Sequence, residues 1–335
     1  MPASGSSPSS ARQRNFIRDA LLGLAVGDAL GVPVEFTIRE DLEIFPVRDM
    51  RAYGTHQQPA GTWSDDSSLS FCLAESLCHG YDLHDLGRRM IAWLHEGYWT
   101  PHGEVFDVGN ATETAIDRLW HDKVPPQQAG GRADHDNGNG ALMRILPLVF
   151  WHQELDLAQR YQLVEEVSSL THGHFRSVFS CFFFLEVARA VLQGKEPQSA
   201  YEQAIRLSQE WIKSQDLPVS ELRLFHRVLE GSLPKLARFQ VHSSGYVIHT
   251  LEASLWAWLT TDRYEEAVLT AVNLGADTDT TAAITGGLAG LTYGQNEIPM
   301  HWLQQLARKE EIADLANRLH LSLHGSNGEQ AGLVA

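Results

Sequence analysis

From Asn15 to about Leu30, apolar side chains return every three or four residues, with Phe16, Ala20 and Leu24 on one stripe and Ile17 and Leu21 beside it. This spacing predicts an amphipathic helix. Gly23 and Gly27 flatten one of its faces, and each glycine costs about 1 kcal/mol relative to alanine inside a helix, so a second helix is expected to pack close against them. Comparable periodicity predicts helices over 68–79, 83–96, 112–121, 141–151, 156–170, 175–193, 199–213, 220–230, 247–259, 263–273, 280–291 and 300–320. In "LHDLGRRMIAWLHE", Leu83, Leu86, Met90 and Trp93 share a face. No segment alternates strictly between apolar and polar positions, so the expected fold class is all-α.

Breakers concentrate in "HDKVPPQQAGGRADHDNGNG", residues 121–140, where Pro-Pro, Gly-Gly and Asn-Gly predict a long loop of the kind that usually carries function. No composition break or internal repeat divides the rest. One domain from 12 to 322 is expected, with a Ser/Pro-rich disordered tail over 1–11 and a Gly-rich flexible tail over 323–335.

Composition narrows the function. The 335 residues are 43% hydrophobic, enough for a large core, and 42 acids against 26 bases give a net charge of -16. Such a surface repels a nucleic-acid backbone, so no nucleic-acid partner is expected, and an anionic substrate would need a bound cation. No apolar run is long enough to span a membrane. Cys72, Cys78 and Cys181 show neither a disulfide framework nor a zinc spacing, which fits a reducing, cytoplasmic setting.

Two stretches then stand out. "GTWSDDSSLS" places Asp65 and Asp66 side by side at the mouth of a helix, and "NLGADTDTTAAITGG" places Asp277 and Asp279 among threonines before another. Singly, each suits a helix cap. A cap needs one acceptor, however, and neighbouring carboxylates repel unless a cation offsets them. If the two helix starts face each other, Ser64, Asp65, Asp66, Asp277, Asp279 and Thr280 supply hard oxygen ligands, which select Mg²⁺, Mn²⁺ or Ca²⁺ over softer metals. Four carboxylates are excessive for one ion and nearly neutralise two.

With its neighbours, this constellation resembles the ADP-ribosylglycohydrolase family. The segments "GLAVGDALGVPVEF", "GTWSDDSSL", "VFDVGNAT", "GNGALMRILPL", "THGH", "SSGYVIHTLEASLWAWL" and "NLGADTDTTAAITGGLAGLTYG" occur in the family's order over most of the chain. The resemblance implies a single-domain, all-helical multi-helix bundle, acting on ADP-ribosylated proteins and using two Mg²⁺ or Mn²⁺ ions; a monomer is expected, although the sequence does not decide the oligomeric state. It implies metal ligation by Ser64, Asp65, Asp66, Asp277, Asp279 and Thr280, with Asp279 as the bridge. Glu35 and Asp66 become candidates for proton transfer, and Asp107 is placed beside the ribose.

The remaining positions each have a plainer reading. Asp107 in "VFDVGNAT" could cap the next helix, and Gly109 lies in the same loop. Gly138 and Gly140 leave room for a pyrophosphate, Asn139 offers an amide, and a helix start is expected directly behind them, although Asn-Gly repeats are commonly turns. Where the family often has Ser or Tyr before this motif, the chain has Asp136 and Asn137. His172 and His174 lack a third soft ligand for zinc; by resemblance His172 lines the ribose-phosphate pocket, and Tyr246, otherwise ordinary core, packs on the nucleotide side. The expected activity is hydrolysis of an ADP-ribosyl bond to a protein side chain, arginine by default. A silent ADP-ribose binder and a metal-dependent phosphohydrolase are the alternatives.

Overall fold

The computed structural model describes residues 14–151 and 154–325. Among them, sixteen α-helices and short 3-10 turns enclose one principal hydrophobic core, and the only β-type pairings are three isolated bridges. The all-α expectation therefore holds. No helix is long and apolar enough to cross a membrane among the described residues. Residues 1–11 and the last ten of the C-terminal segment lie outside them, while Leu323 and His324 still belong to the final helix, Lys309–His324.

At the centre lies the Phe16–Gly31 helix, apolar on nearly all sides and accordingly buried on nearly all sides. Its glycine face does receive a close partner, the helix Thr278–Tyr293. A Cβ on Gly23 would sit 2.4 Å from the Gly286 carbonyl oxygen, and one on Gly27 would sit 2.1 Å from that of Ala282. Backbone meets backbone along this seam. The same contact continues to Gly31, where a Cβ would lie 2.3 Å from Cα of Asp279, so it fixes the start of the second helix against the end of the first. The Tyr264 hydroxyl donates to the Gly23 carbonyl at 2.7 Å and ties the Tyr264–Val272 helix to the pair.

A third helix, Asp65–Leu77, completes the group that carries the acids. Its first turn is held from the central helix: Asp28 accepts from the backbone N–H of Ser64 at 2.9 Å and of Ser67 at 3.0 Å.

Three predicted helices differ. Residues 141–151 form turns followed by a 3-10 helix, Leu146–Phe150, because Pro147 has no N–H to give the carbonyl four residues back and so interrupts a continuous α-helix. Its apolar residues are buried, so the spacing reported burial rather than helix. The 220–230 stretch divides into Val219–Leu224 and His226–Leu229, with the break at Phe225, whose buried ring packs edge-on against Phe179. The 300–320 stretch divides into Met300–Gln305 and Lys309–His324. Between them the chain runs against residues 61–63: Ala307 N–H donates to Gly61 O at 2.9 Å, and Trp63 Nε1–H donates to Ala307 O at 3.0 Å. That break braces the approach to Ser64. Short helices at Arg39–Ile44 and Pro126–Ala129 had too few residues to show a period.

Buried Cys72 and Cys181 and half-buried Cys78 are free thiols. Burial pushes Cys181 up to about 12 and Cys78 up to about 11, which leaves them inert.

Candidate active site

The two acid-bearing helix starts face each other across the end of the central helix. Carboxylate oxygens of Asp28, Asp66 and Asp279 lie within 4.8 Å of one another. A second group, again mutually within 4.8 Å, joins Asp279 to Glu35, His56 and Asp107. Asp279 belongs to both.

The structure separates capping from surplus charge. Ser64 caps the Asp65–Leu77 helix, its Oγ accepting from the Asp66 N–H at 3.3 Å, and Asp28 takes two further N–H groups. Asp65 and Asp66 are not needed there. Asp277 stands at the N-cap position of the Thr278–Tyr293 helix yet its side chain makes no capping bond. Instead its Oδ2 accepts from the Asn139 amide at 2.7 Å. Asp279 Oδ1 accepts from the Thr280 N–H at 2.9 Å.

One oxygen of each key acid is left over. Among the described residues, the only buried carboxylate oxygens without a hydrogen-bond partner are Asp66 Oδ1, Asp277 Oδ1 and Asp279 Oδ2. A buried anionic oxygen without a donor is costly; Asp66 and Asp279 belong to one donor group, while Asp277 lies outside both groups and lines the adjoining pocket. Asp66 Oδ2 receives the hydroxyls of Ser64 at 2.9 Å and Thr280 at 3.4 Å, so both hydroxyl groups point into the same space. Hard oxygens, excess negative charge and orphaned lone pairs together fit small divalent cations.

Burial and mutual repulsion favour the protonated form of these acids in the absence of such ions. Burial, reinforced by the surrounding carboxylates, raises Asp65, Asp66 and Asp279 well above the usual range, and burial also raises Asp277 and Asp107. Asp28 is lifted by burial to about 6, partly offset by its bonds to Ser67 and Ser64. Glu35 is lifted to about 7, chiefly by burial, with a hydrogen bond to His56 Nε2 opposing the shift. That bond in turn raises His56.

Beside this cluster is a pocket of about 380 Å³ whose wall includes Glu35, Asp65, Asp107, Gly109, Gly138, Gly140, His172, Asp277 and Thr280. Asp107 does not cap the Asn110–Trp120 helix, which starts after Gly109 with no side-chain cap. No helix start follows Gly140, since residues 141–144 form turns. The Asn139 side chain is also spoken for: both amide protons are spent, on Asp277 and on Thr250 Oγ1 at 2.9 Å. Asn139 braces a carboxylate. Tyr246, half-buried, bridges to Gly138 and lies edge-on to His249.

His172 is oriented from behind. Buried Arg144 donates to Thr171 Oγ1 at 2.8 Å, so the Thr171 hydroxyl proton is free to point at His172 Nδ1, 2.9 Å away. Nδ1 then accepts, and Nε2 carries the ring proton toward the glycines. A Cβ at Gly140 would lie 2.8 Å from the His172 ring, which explains glycine there. Burial, followed by the Arg144 charge, drives His172 down to about 3, so the ring stays neutral. His174 instead caps the Phe175–Leu192 helix, its Nδ1 accepting from Arg176 N–H at 3.2 Å.

Asp28 and His56 escaped the sequence reading. Asp28 had a signal, an acid deep in the apolar run that follows Asp19 in the same helix, which must find donors or a cation when buried. His56 sits in a short turn with no pattern around it.

Comparison with known proteins settles the kinship. The sequence profile of ADP-ribosylglycohydrolases matches residues 9–329. The chain belongs to the ADP-ribosylglycohydrolase family. It is a glycohydrolase acting on ADP-ribosyl groups, as the sequence resemblance implied. Over 310 residues it is 33% identical to ADP-ribosylarginine hydrolase Tri1 of Serratia proteamaculans (strain 568), covering 90% of this chain and 78% of that protein. It is 31% identical to the ADP-ribosyl-[dinitrogen reductase] glycohydrolase of Rhodospirillum rubrum, covering 87% and 90%. A solved ADP-ribosylglycohydrolase-related protein complex superposes with a TM-score of 0.75 at 34% identity, covering 92% of this chain and 98% of that one.

Proposed function

We propose that this glycohydrolase cleaves the N-glycosidic bond between ADP-ribose and an arginine side chain of a modified protein, using two Mg²⁺ or Mn²⁺ ions. The observation that carries this reading is the membership of Asp279 in both donor groups, beside a pocket of nucleotide-sugar size. Arginine is favoured because 33% identity links the chain to an ADP-ribosylarginine hydrolase. Ser64, Asp65, Asp66, Asp277, Asp279 and Thr280 would hold the ions, Asp279 being the acid shared by the two donor groups. Bound there, two hard cations offset the acids and orient oxygen ligands such as ribose hydroxyls.

The protein's own groups do the rest. Asp107 and Gly109 position the ribose, and Gly138, Gly140 and the Nε2–H of His172 receive the pyrophosphate. Asn139 acts one step back, holding Asp277. Tyr246 contacts the nucleotide. Departure of the arginine nitrogen leaves an oxocarbenium-like carbon, so a nearby carboxyl must move a proton. Glu35 suits this task because burial lifts it to about 7 while its hydrogen bond to His56 opposes the shift, which keeps its proton balanced near neutral pH. Asp66 is less free for it, since two hydroxyls donate to its Oδ2.

The test is incubation with Mg²⁺ and ADP-ribosyl-arginine, followed by separation of the products. Intact ADP-ribose supports the reading; AMP would instead mean phosphohydrolysis, and silence a binding protein. In the same assay, Thr171→Val should raise KM roughly tenfold with kcat nearly kept, because the ring proton of His172 is no longer directed at the phosphates, while Thr171→Ser should behave like the parent. Equal KM values for both variants would remove His172 from the phosphate site.

A further inference from the structure

Next to the acid cluster opens a second cleft, of about 880 Å³, that none of the assigned residues fills. One wall is formed by residues 36–43, the other by 239–249, and the floor by 274–277. Phe36, Gly245 and Asp277 line both this cleft and the smaller pocket. The cleft therefore adjoins the pocket that Glu35 lines.

The walls are built in a way that the fold does not require. Phe36 is held at φ +63° and Ala276 at φ +61°, a conformation that costs non-glycine residues free energy. Reciprocal hydrogen bonds lock them: Phe36 N–H to Ala276 O at 2.7 Å and Ala276 N–H to Thr37 O at 2.8 Å. This strained link turns Glu35 inward and leaves the Phe36 ring 67% exposed. Ile38 is 58% exposed and Phe239 80% exposed on the facing wall. Single exposed apolar side chains are ordinary, but a set lining one cleft at the mouth of a catalytic centre marks an interaction surface.

Charge narrows the partner. The Arg39 guanidinium is committed to the carbonyl oxygens of Leu274, Arg238 and Val241. Glu40 and Glu43, on the rim, have no ion-pair partner among the described residues. The cleft mixes apolar side chains with the polar groups of His242, Ser243, Ser244 and His249, and carries two unpaired carboxylates at its edge.

We propose that this cleft binds the polypeptide on either side of the modified arginine, selecting sequences in which basic and apolar residues flank it. The inference rests on the arginine-directed reading above and adds the recognition of the protein part of the substrate. Free ADP-ribosyl-arginine has nothing to place in the cleft, whereas a modified peptide fills it.

The experiment compares free ADP-ribosyl-arginine with a peptide mono-ADP-ribosylated on a central arginine flanked by lysine and leucine. The double variants Ile38→Asp with Phe239→Asp, and Glu40→Lys with Glu43→Lys, alter only exposed side chains, and thermal melts check that they fold. Each is expected to raise KM for the peptide roughly tenfold and to leave kcat/KM for the free compound within about twofold. The charge-reversed variant should also prefer a peptide with glutamates in place of the lysines. Peptide turnover unchanged in both variants, or an equal loss on both substrates, would overturn the cleft's role. A parent enzyme that releases no ADP-ribose from free ADP-ribosyl-arginine would instead sink the functional reading beneath it.

Discussion

Asp279→Asn is expected to lower turnover at saturating Mg²⁺ by at least about a thousandfold while making the metal-free protein harder to melt. The loss follows from position: Asp279 is the one acid common to both donor groups, and its Oδ2 is buried without a partner. The gain follows from the same position. An asparagine keeps the oxygen that accepts from Thr280 N–H, is neutral without the proton that buried Asp279 must take up in the metal-free protein, and offers an NH₂ to the surrounding carboxyl groups. Relief of about 1 kcal/mol corresponds to a rise in Tm of about 1–2 °C in a chain of 335 residues. Calorimetry in chelator and product chromatography in Mg²⁺ measure the two halves. A variant that keeps near-parent turnover would place the reaction elsewhere.

Metal removal carries the second large effect. An ion at a hundred times its Kd stabilises by about 2.7 kcal/mol per site, so saturating Mg²⁺ or Mn²⁺ should raise Tm by about 5–10 °C, and chelator should abolish activity reversibly. The shift is expected to grow with pH. Asp28 and Glu35, at about 6 and about 7 in the folded metal-free protein, lie above their ordinary 3.8 and 4.5. Between those values the folded state binds more protons than the unfolded chain, so metal-free stability is full below about pH 4 as regards these groups and falls as pH rises to 7. Bound cations favour the ionised acids, so the loaded protein should not show that decline. A Tm indifferent to metal from pH 5 to 8 would mean that the acids hold no ions.

Much of the architecture could be read along the chain because helical periodicity is a local property. The glycine face of the first helix even announced its close partner, since a missing Cβ on successive turns is costly unless another backbone occupies the space. Periodicity misled where burial without helix imitates it, as at 141–151 before Pro147. It also ran through the breaks at Phe225 and at 306–308, where long-range packing bends the chain.

The acids followed the same division. Sequence alone determined that both helix starts hold more carboxylates than capping can use, because a cap's demand is local and countable. Only the tertiary structure decided that Asp28, not Asp65 or Asp66, feeds the neighbouring helix N-terminus, that His56 meets Glu35, and that Asn139 spends its amide on Asp277. Each of these pairs spans at least 21 residues. A hydrogen bond at such separation leaves no period or composition behind it; it exists because packed helices bring the two groups to the same point.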